Sequence, residues 1–119
     1  MSIRLKRVYE DPSPEDGFRI LVDRLWPRGL KKEDAAIDNW LKAIAPSTAL
    51  RQWFNHDPER WQVFKEKYRG ELEGSEELKE LKALLKKHKT VTLLYGAKDE
   101  EHNQAVALKA FLGRQRKAT

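Results

Sequence analysis

Three stretches of the chain carry strand patterns. Ile3 to Val8 alternates apolar Ile3 and Leu5 with basic Arg4 and Lys6, which suits a half-exposed strand at or near a sheet edge. Phe18 to Val22 (FRILV) and Thr90 to Tyr95 (TVTLLY) are nearly unbroken apolar runs, as in strands covered on both faces of a parallel sheet. Between the first two lies Asp11-Pro12-Ser13-Pro14-Glu15-Asp16-Gly17, a turn-rich connection with room for one short helical turn.

Helical spacing dominates the middle. Ile37, Trp40, Leu41 and Ile44 stand at i, i+3, i+4 and i+7, predicting a helix with one buried stripe that Pro46 stops. Ser47 or Thr48 can cap a short segment carrying Leu50, Trp53 and Phe54. Asp57-Pro58 sets a capping carboxylate before a proline at the first helical position, opening a helix with Trp61, Phe64, Tyr68 and Leu72 on one face. Gly74-Ser75 breaks and restarts the chain. The next helix has Glu76 and Glu77 in its first turn and Lys86, Lys87 and His88 in its last, complementing the helix dipole, with Leu78, Leu81, Leu84 and Leu85 inward. After the third strand, Asp99 can cap a final helix bearing Val106, Ala107, Ala110 and Phe111 and ended by Gly113. The order strand, strand, three or four helices, strand, helix predicts one small α/β domain over residues 1–119. It would hold three or four mainly parallel strands flanked by helices, in a flavodoxin- or Rossmann-like arrangement of two or three layers.

Composition narrows the class. A chain of 119 residues with 39% apolar content supports one ordinary core, and four Trp, four Phe and three Tyr favour packing over disorder despite 36% charged residues. No apolar stretch approaches the roughly 20 residues of a membrane span, and the N-terminal segment has no signal-peptide pattern, so a cytoplasmic protein without membrane contact is expected. The absence of cysteine removes disulfides, thiolate nucleophiles and Cys-based zinc sites. The net charge of +5 concentrates at Arg4, Lys6 and Arg7, at Lys86, Lys87 and Lys89, and at Arg114, Arg116 and Lys117. It makes nucleic acid a partner to consider, although lysines on an amphipathic helix are ordinarily its solvated face.

Chemistry is expected where parallel strands end, because open α/β sheets bind ligands beyond the carboxyl ends of their strands. The second strand runs out into Asp23-Arg24-Leu25-Trp26-Pro27-Arg28-Gly29, and the third ends in Tyr95-Gly96-Ala97-Lys98-Asp99-Glu100-Glu101-His102-Asn103. In parallel strands the two loops share one rim. Arg24 and Arg28 offer planar forks of donors to phosphate or carboxylate, and Trp26 or Tyr95 offers a stacking surface. Gly96 permits close backbone approach, Lys98 adds a point charge, and the entrance of the last helix, near Asn103, presents free amides. Together they suggest a small anionic, phosphate- or nucleotide-like ligand. The competing reading is structural: Asp23 and Arg24 pair locally while Trp26-Pro27 closes the end of the core. Asp23, His56 and His102 are the candidates for proton transfer. Ser13, Ser47 and Ser75 sit in turn or cap contexts without a nucleophile-elbow pattern, and three scattered histidines provide no metal motif. No cofactor is identified.

The segments VDRLWPRGL at 22–30, WFNHDPERW at 53–61 and LLYGAKDEEHNQAVALK at 93–109 closely resemble the YeaO-like branch of the domain of unknown function 488 family. The resemblance covers nearly the whole chain and implies a fold and motif positions, but no reaction. Longer members of that family resemble a pattern with a cysteine after the last strand's leucines and a Cys-His-Arg set at the following helix start. The matching positions here hold Tyr95 and Asn103-Gln104-Ala105, so only the Asp23-Arg24 step is shared. Three functions follow as expectations: an anion-binding domain, with or without catalysis; a nucleic-acid-associated accessory protein using the basic surface; and a homodimeric interaction module.

Overall fold

The computed structural model describes residues 2–117, with side chains described over residues 2–113, so the basic group at Arg114, Arg116 and Lys117 lies outside the described side chains. Four parallel strands, β1 (Ser2–Arg7), β2 (Phe18–Leu21), β3 (Asn39–Trp40) and β4 (Thr90–Tyr95), form one sheet in the order β1-β4-β2-β3. The half-exposed first strand is at the edge, as its alternation predicts, and the two continuous apolar runs occupy the centre. Ile3 pairs with Val91 and Leu5 with Leu93, while Phe18 pairs with Val91 and Ile20 with Leu93.

The two sheet faces are covered differently. Ile20, Val22, Val91, Leu93 and Tyr95 point into the main core, which is completed by α2 (Thr48–Phe54), α3 (Trp61–Leu72), α4 (Glu76–Lys87) and α5 (Gln104–Lys117). Leu21, Leu94 and Val8 point the other way, into a thinner cluster covered by Trp26, Leu30, Ile37 and Trp40. That second layer is the segment between β2 and β3, whose only regular element is the four-residue α1 (Lys32–Ala35).

Most helices begin where the sequence predicts. The Ser47 hydroxyl accepts from the Leu50 amide at 3.1 Å and the Ser75 hydroxyl from Leu78 at 3.1 Å. Asp57 accepts from Glu59 at 3.0 Å, with Pro58 opening a 3-10 turn that runs into α3. Phe64, Tyr68 and Leu72 of α3 and Leu78, Leu81 and Leu85 of α4 are buried.

Three expectations are corrected. The predicted helix over Ile37 to Ile44 is instead β3 followed by a 3-10 turn at Lys42–Ile44. Long-range bonding to β2 outweighs the local period there: the Asp38 carboxylate accepts from the Arg19 amide at 2.8 Å, the Asp38 amide donates to the Arg19 carbonyl at 2.9 Å, and the Leu41 amide donates to the Leu21 carbonyl at 3.0 Å. The apolar stripe consequently splits, with Ile37 and Trp40 on the thin layer and Leu41 and Ile44 in the main core. The cap of α5 is Asn103, whose Oδ1 accepts from the Val106 amide at 3.0 Å, whereas Asp99 shapes the preceding turn through the Glu101 and His102 amides. Finally, α5 passes through Gly113 to Lys117, because the polar residues that follow are good helix formers and one glycine costs only about 1 kcal/mol.

Candidate functional site

Parallel pairing puts the ends of β2 and β4 side by side, and the chain then leaves them in opposite directions. After β2 it crosses to the thin layer; after β4 it enters α5 on the helical face. Adjacent strands whose connections diverge leave a crevice between them, the usual position of a ligand site in an open α/β sheet. A cleft of about 410 Å³ occupies this point, within the size range of small-molecule sites.

Asp23 stands at its base, one residue beyond Val22. Its Oδ2 accepts from the Gly96 amide at 2.8 Å, and its Oδ1 accepts from the Gln104 side-chain amide. The Trp40 indole N–H donates to the Asp23 carbonyl at 2.7 Å, fixing the backbone as well. A Cβ on residue 96 would lie 3.0 Å from Asp23 Oδ2, so glycine lets this carboxylate approach without a crowded contact. Burial pushes the Asp23 carboxyl up to about 6, against the lowering effects of the Gly96 amide, the Arg51 charge and the Gln104 amide.

Arg24 forms part of the wall. One terminal nitrogen donates to the carbonyls of Ala45 at 3.2 Å and Pro46 at 3.3 Å, and no carboxylate neutralises it in the described contacts. Its Nε is buried without a hydrogen-bond partner, alone among the described side-chain nitrogens and oxygens. A buried unsatisfied donor is costly, more so on a cation, and calls for an explanation.

The end of α2 adds Arg51, Phe54, Asn55 and His56 to the lining. Asn55 and His56 are consecutive left-handed residues at φ +47° and +54°, closed by the Asp57 amide donating to the Phe54 carbonyl at 3.0 Å. Such conformations are strained for residues with a Cβ and concentrate at ligand sites. On the remaining side, His102 Nδ1 lies 3.0 Å from Asp99 Oδ2 and its ring meets Trp61 edge-on at 5.3 Å, while Asn103 Nδ2 donates to the Asp99 carbonyl at 2.9 Å.

The cleft therefore gathers Asp23, Arg24, His56, Gly96, His102 and Asn103 from the sequence-derived candidates. Four others lie outside its lining. Trp26 packs on the thin layer, donating its indole N–H to the Leu30 carbonyl at 2.7 Å and meeting Trp40 edge-on at 5.5 Å. Arg28 is exposed and offers its carbonyl to the Tyr9 hydroxyl at 2.9 Å. Tyr95 is buried in the main core, and Lys98 is exposed. Sequence reasoning missed Arg51, Asn55 and Gln104. Only Gln104 carried a readable signal, its place immediately after Asn103 in the third motif. Among the described residues, no three His, Asp or Glu side chains converge as metal ligands.

A profile described as the inactive DUF488-N3 subclade matches residues 2–119. The chain belongs to this family. It is 46% identical over 112 residues to the uncharacterized protein YeaO of Escherichia coli K12, covering 94% of this chain and 97% of that protein. It is also 49% identical over 82 residues to the uncharacterized protein Rv3073c of Mycobacterium tuberculosis, covering 69% of this chain and 70% of that one. No solved structure matches it. The resemblance drawn from the three motifs is thereby confirmed, and two of its features take on a physical form in this DUF488-N3 member. The Asp23-Arg24 step forms the base and wall of the cleft, and Asn103-Gln104 provides the α5 cap and the amide that holds Asp23.

Proposed function

We propose that this protein binds a small anionic ligand, of phosphate or nucleotide type, in the cleft between the ends of β2 and β4, and holds it without chemical turnover. The observation that carries the reading is the pair of arginines in the cleft lining, Arg24 and Arg51, neither of which meets a carboxylate within ion-pair distance among the described residues. A guanidinium whose described contacts are neutral carbonyls keeps its full charge for a ligand, and Arg51 adds a second, exposed cation to the lining. The description of the family as inactive supports binding over catalysis. So do Tyr95 and Asn103-Gln104-Ala105, which stand where longer relatives resemble a cysteine and a Cys-His-Arg set.

A thermal-shift series with inorganic phosphate, sugar phosphates and nucleoside monophosphates tests this. A ligand at ten times its Kd adds about 1.4 kcal/mol, a rise of about 5 °C for a domain of this size. Arg24→Ala and Arg51→Ala should each reduce or abolish the shift. Because Arg24 also ties down the carbonyls of Ala45 and Pro46, the exposed Arg51 is the control against simple unfolding. A wild-type protein that none of these anions stabilises would end the proposal.

A further inference from the structure

The polarity of the cleft restricts the ligand further, provided the anion-binding reading holds. An anion cannot rest at the base, because the Asp23 carboxylate is there. It has to lie toward Arg24 and Arg51, leaving the base to a group that donates hydrogen bonds. Each carboxylate oxygen has two acceptor positions. The Gly96 amide uses one on Oδ2 and the Gln104 amide one on Oδ1, so each oxygen keeps one open. The carboxylate is held by a main-chain amide and a side chain at the start of α5, so Asp23 keeps one acceptor position on each of two oxygens whose placement is fixed by the fold.

We infer that the cleft takes a guanine-type purine nucleotide, whose ring N–H and exocyclic amino group donate together to Asp23 while its phosphate meets Arg24 and Arg51. On their pairing edges adenine and cytosine present an amino donor beside an acceptor, and uracil a single ring N–H, so none of them fills both oxygens. The surroundings suit a flat ring. Pro46, Ala97 and the buried Phe54 and Phe64, stacked at 4.2 Å between centroids, supply apolar walls. Leu25 lines the cleft with 65% of its surface exposed, the most of any large apolar side chain among the described residues, and a bound ring would cover part of it.

Calorimetric titration at pH 7.5 with guanosine, adenosine, cytidine and uridine 5′-monophosphates, guanosine itself and ribose 5-phosphate decides the matter. The guanine nucleotide should bind at least about tenfold more tightly than the other three, and more tightly than guanosine or ribose 5-phosphate. Asp23→Asn replaces one acceptor by a donor, so it should invert the preference, favouring xanthosine 5′-monophosphate over the guanine nucleotide. A structural role for Asp23 would not reorder ligands in that way. Should Asp23→Asn fail to fold, the wild-type ranking alone decides. Equal binding of all four nucleotides and of ribose 5-phosphate would overturn the base assignment while leaving the anion site standing. Guanosine binding as tightly as its monophosphate, unaffected by Arg51→Ala, would remove the anion site and this inference with it. No binding by any phosphate compound would likewise overturn both.

Discussion

Two carboxyls of this protein, the buried Asp16 and the half-buried Asp23, respond to folding in opposite directions. For Asp16, burial pushes the carboxyl up but is outweighed by the Ser13 amide, Lys6 and Arg19, so it is held below its ordinary value of 3.8. Its stabilising contribution is present above that value and is lost as the pH falls below it. For Asp23, burial dominates and raises the carboxyl to about 6. Between 3.8 and about 6 the folded state binds a proton that the unfolded chain has released, so stability falls as the pH rises through this window, and the penalty is complete above it. After allowance for solvent screening of a partly exposed group, the penalty is about 1–2 kcal/mol. Asp23→Asn should remove it. Urea denaturation of both proteins from pH 4 to pH 7 should show the wild type losing stability relative to the variant by that amount, and a difference that stays flat would refute the assignment. A group held at a stability cost, beside a glycine that leaves room for it, fits a role in recognition better than one in packing.

At the scale of elements, Gly17 governs how β2 begins. It has φ +66° after the 3-10 turn at Pro14–Asp16, and a Cβ there would lie 2.3 Å from the Thr90 carbonyl oxygen at the start of β4. The Thr92 hydroxyl donates to the Asp16 carbonyl at 2.7 Å, holding the same junction closed. Gly17→Ala therefore combines a left-handed conformation with a backbone clash that no side-chain rotation relieves. A loss of about 3–5 kcal/mol is expected, read as a lower urea midpoint, and a variant within 1 kcal/mol of wild type would show that the junction can shift at little cost. Elements whose signals are local were legible in the sequence: the β1, β2 and β4 runs, the Ser47, Asp57 and Ser75 caps, and the inward faces of α3 and α4. β3 was not, because two residues held by Arg19 and Leu21 have no strand period of their own. The same division applies to the site. Its position at the strand ends follows from the parallel runs, which is why Asp23, Arg24, Gly96 and Asn103 could be named. The part played by Arg51, Asn55 and His56 depends on how α2 packs across that rim, a tertiary fact. Trp26, expected to flank a ligand between two arginines, turns to the opposite sheet face because Leu21, Leu94 and Trp40 offer it a surface there.

For the whole molecule, the unequal coverage of the sheet sets the order in which parts open. Among the described residues the helical side buries 20 in one cluster, whereas the other side rests on Val8, Leu21 and Leu94 beneath four partly buried side chains. The segment over that thin side is mostly irregular, and its amides bond locally, Leu30 to the Pro27 carbonyl at 3.3 Å and Ala35 to the Lys31 carbonyl at 3.0 Å. Native-state hydrogen exchange should follow this layering, with Val91 and Leu93 of the central β4 slowest and Leu30 and Ala35 faster by about 2 kcal/mol or more in opening free energy. Equal protection in both layers would mean that the thin side unfolds only with the rest. Partial opening has a consequence for binding. It releases the Trp40 indole from the Asp23 carbonyl and so loosens the base of the cleft. A ligand that bridges Asp23 and Arg51 favours the closed layer, and its binding should slow exchange at Leu30, Ala35 and Leu41, none of which lines the cleft. The same ligand bound to Arg51→Ala, with its bridge cut at the α2 side, should protect those amides less. Under the proposed binding role, this coupling would give the far sheet face a means of registering whether the cleft is filled.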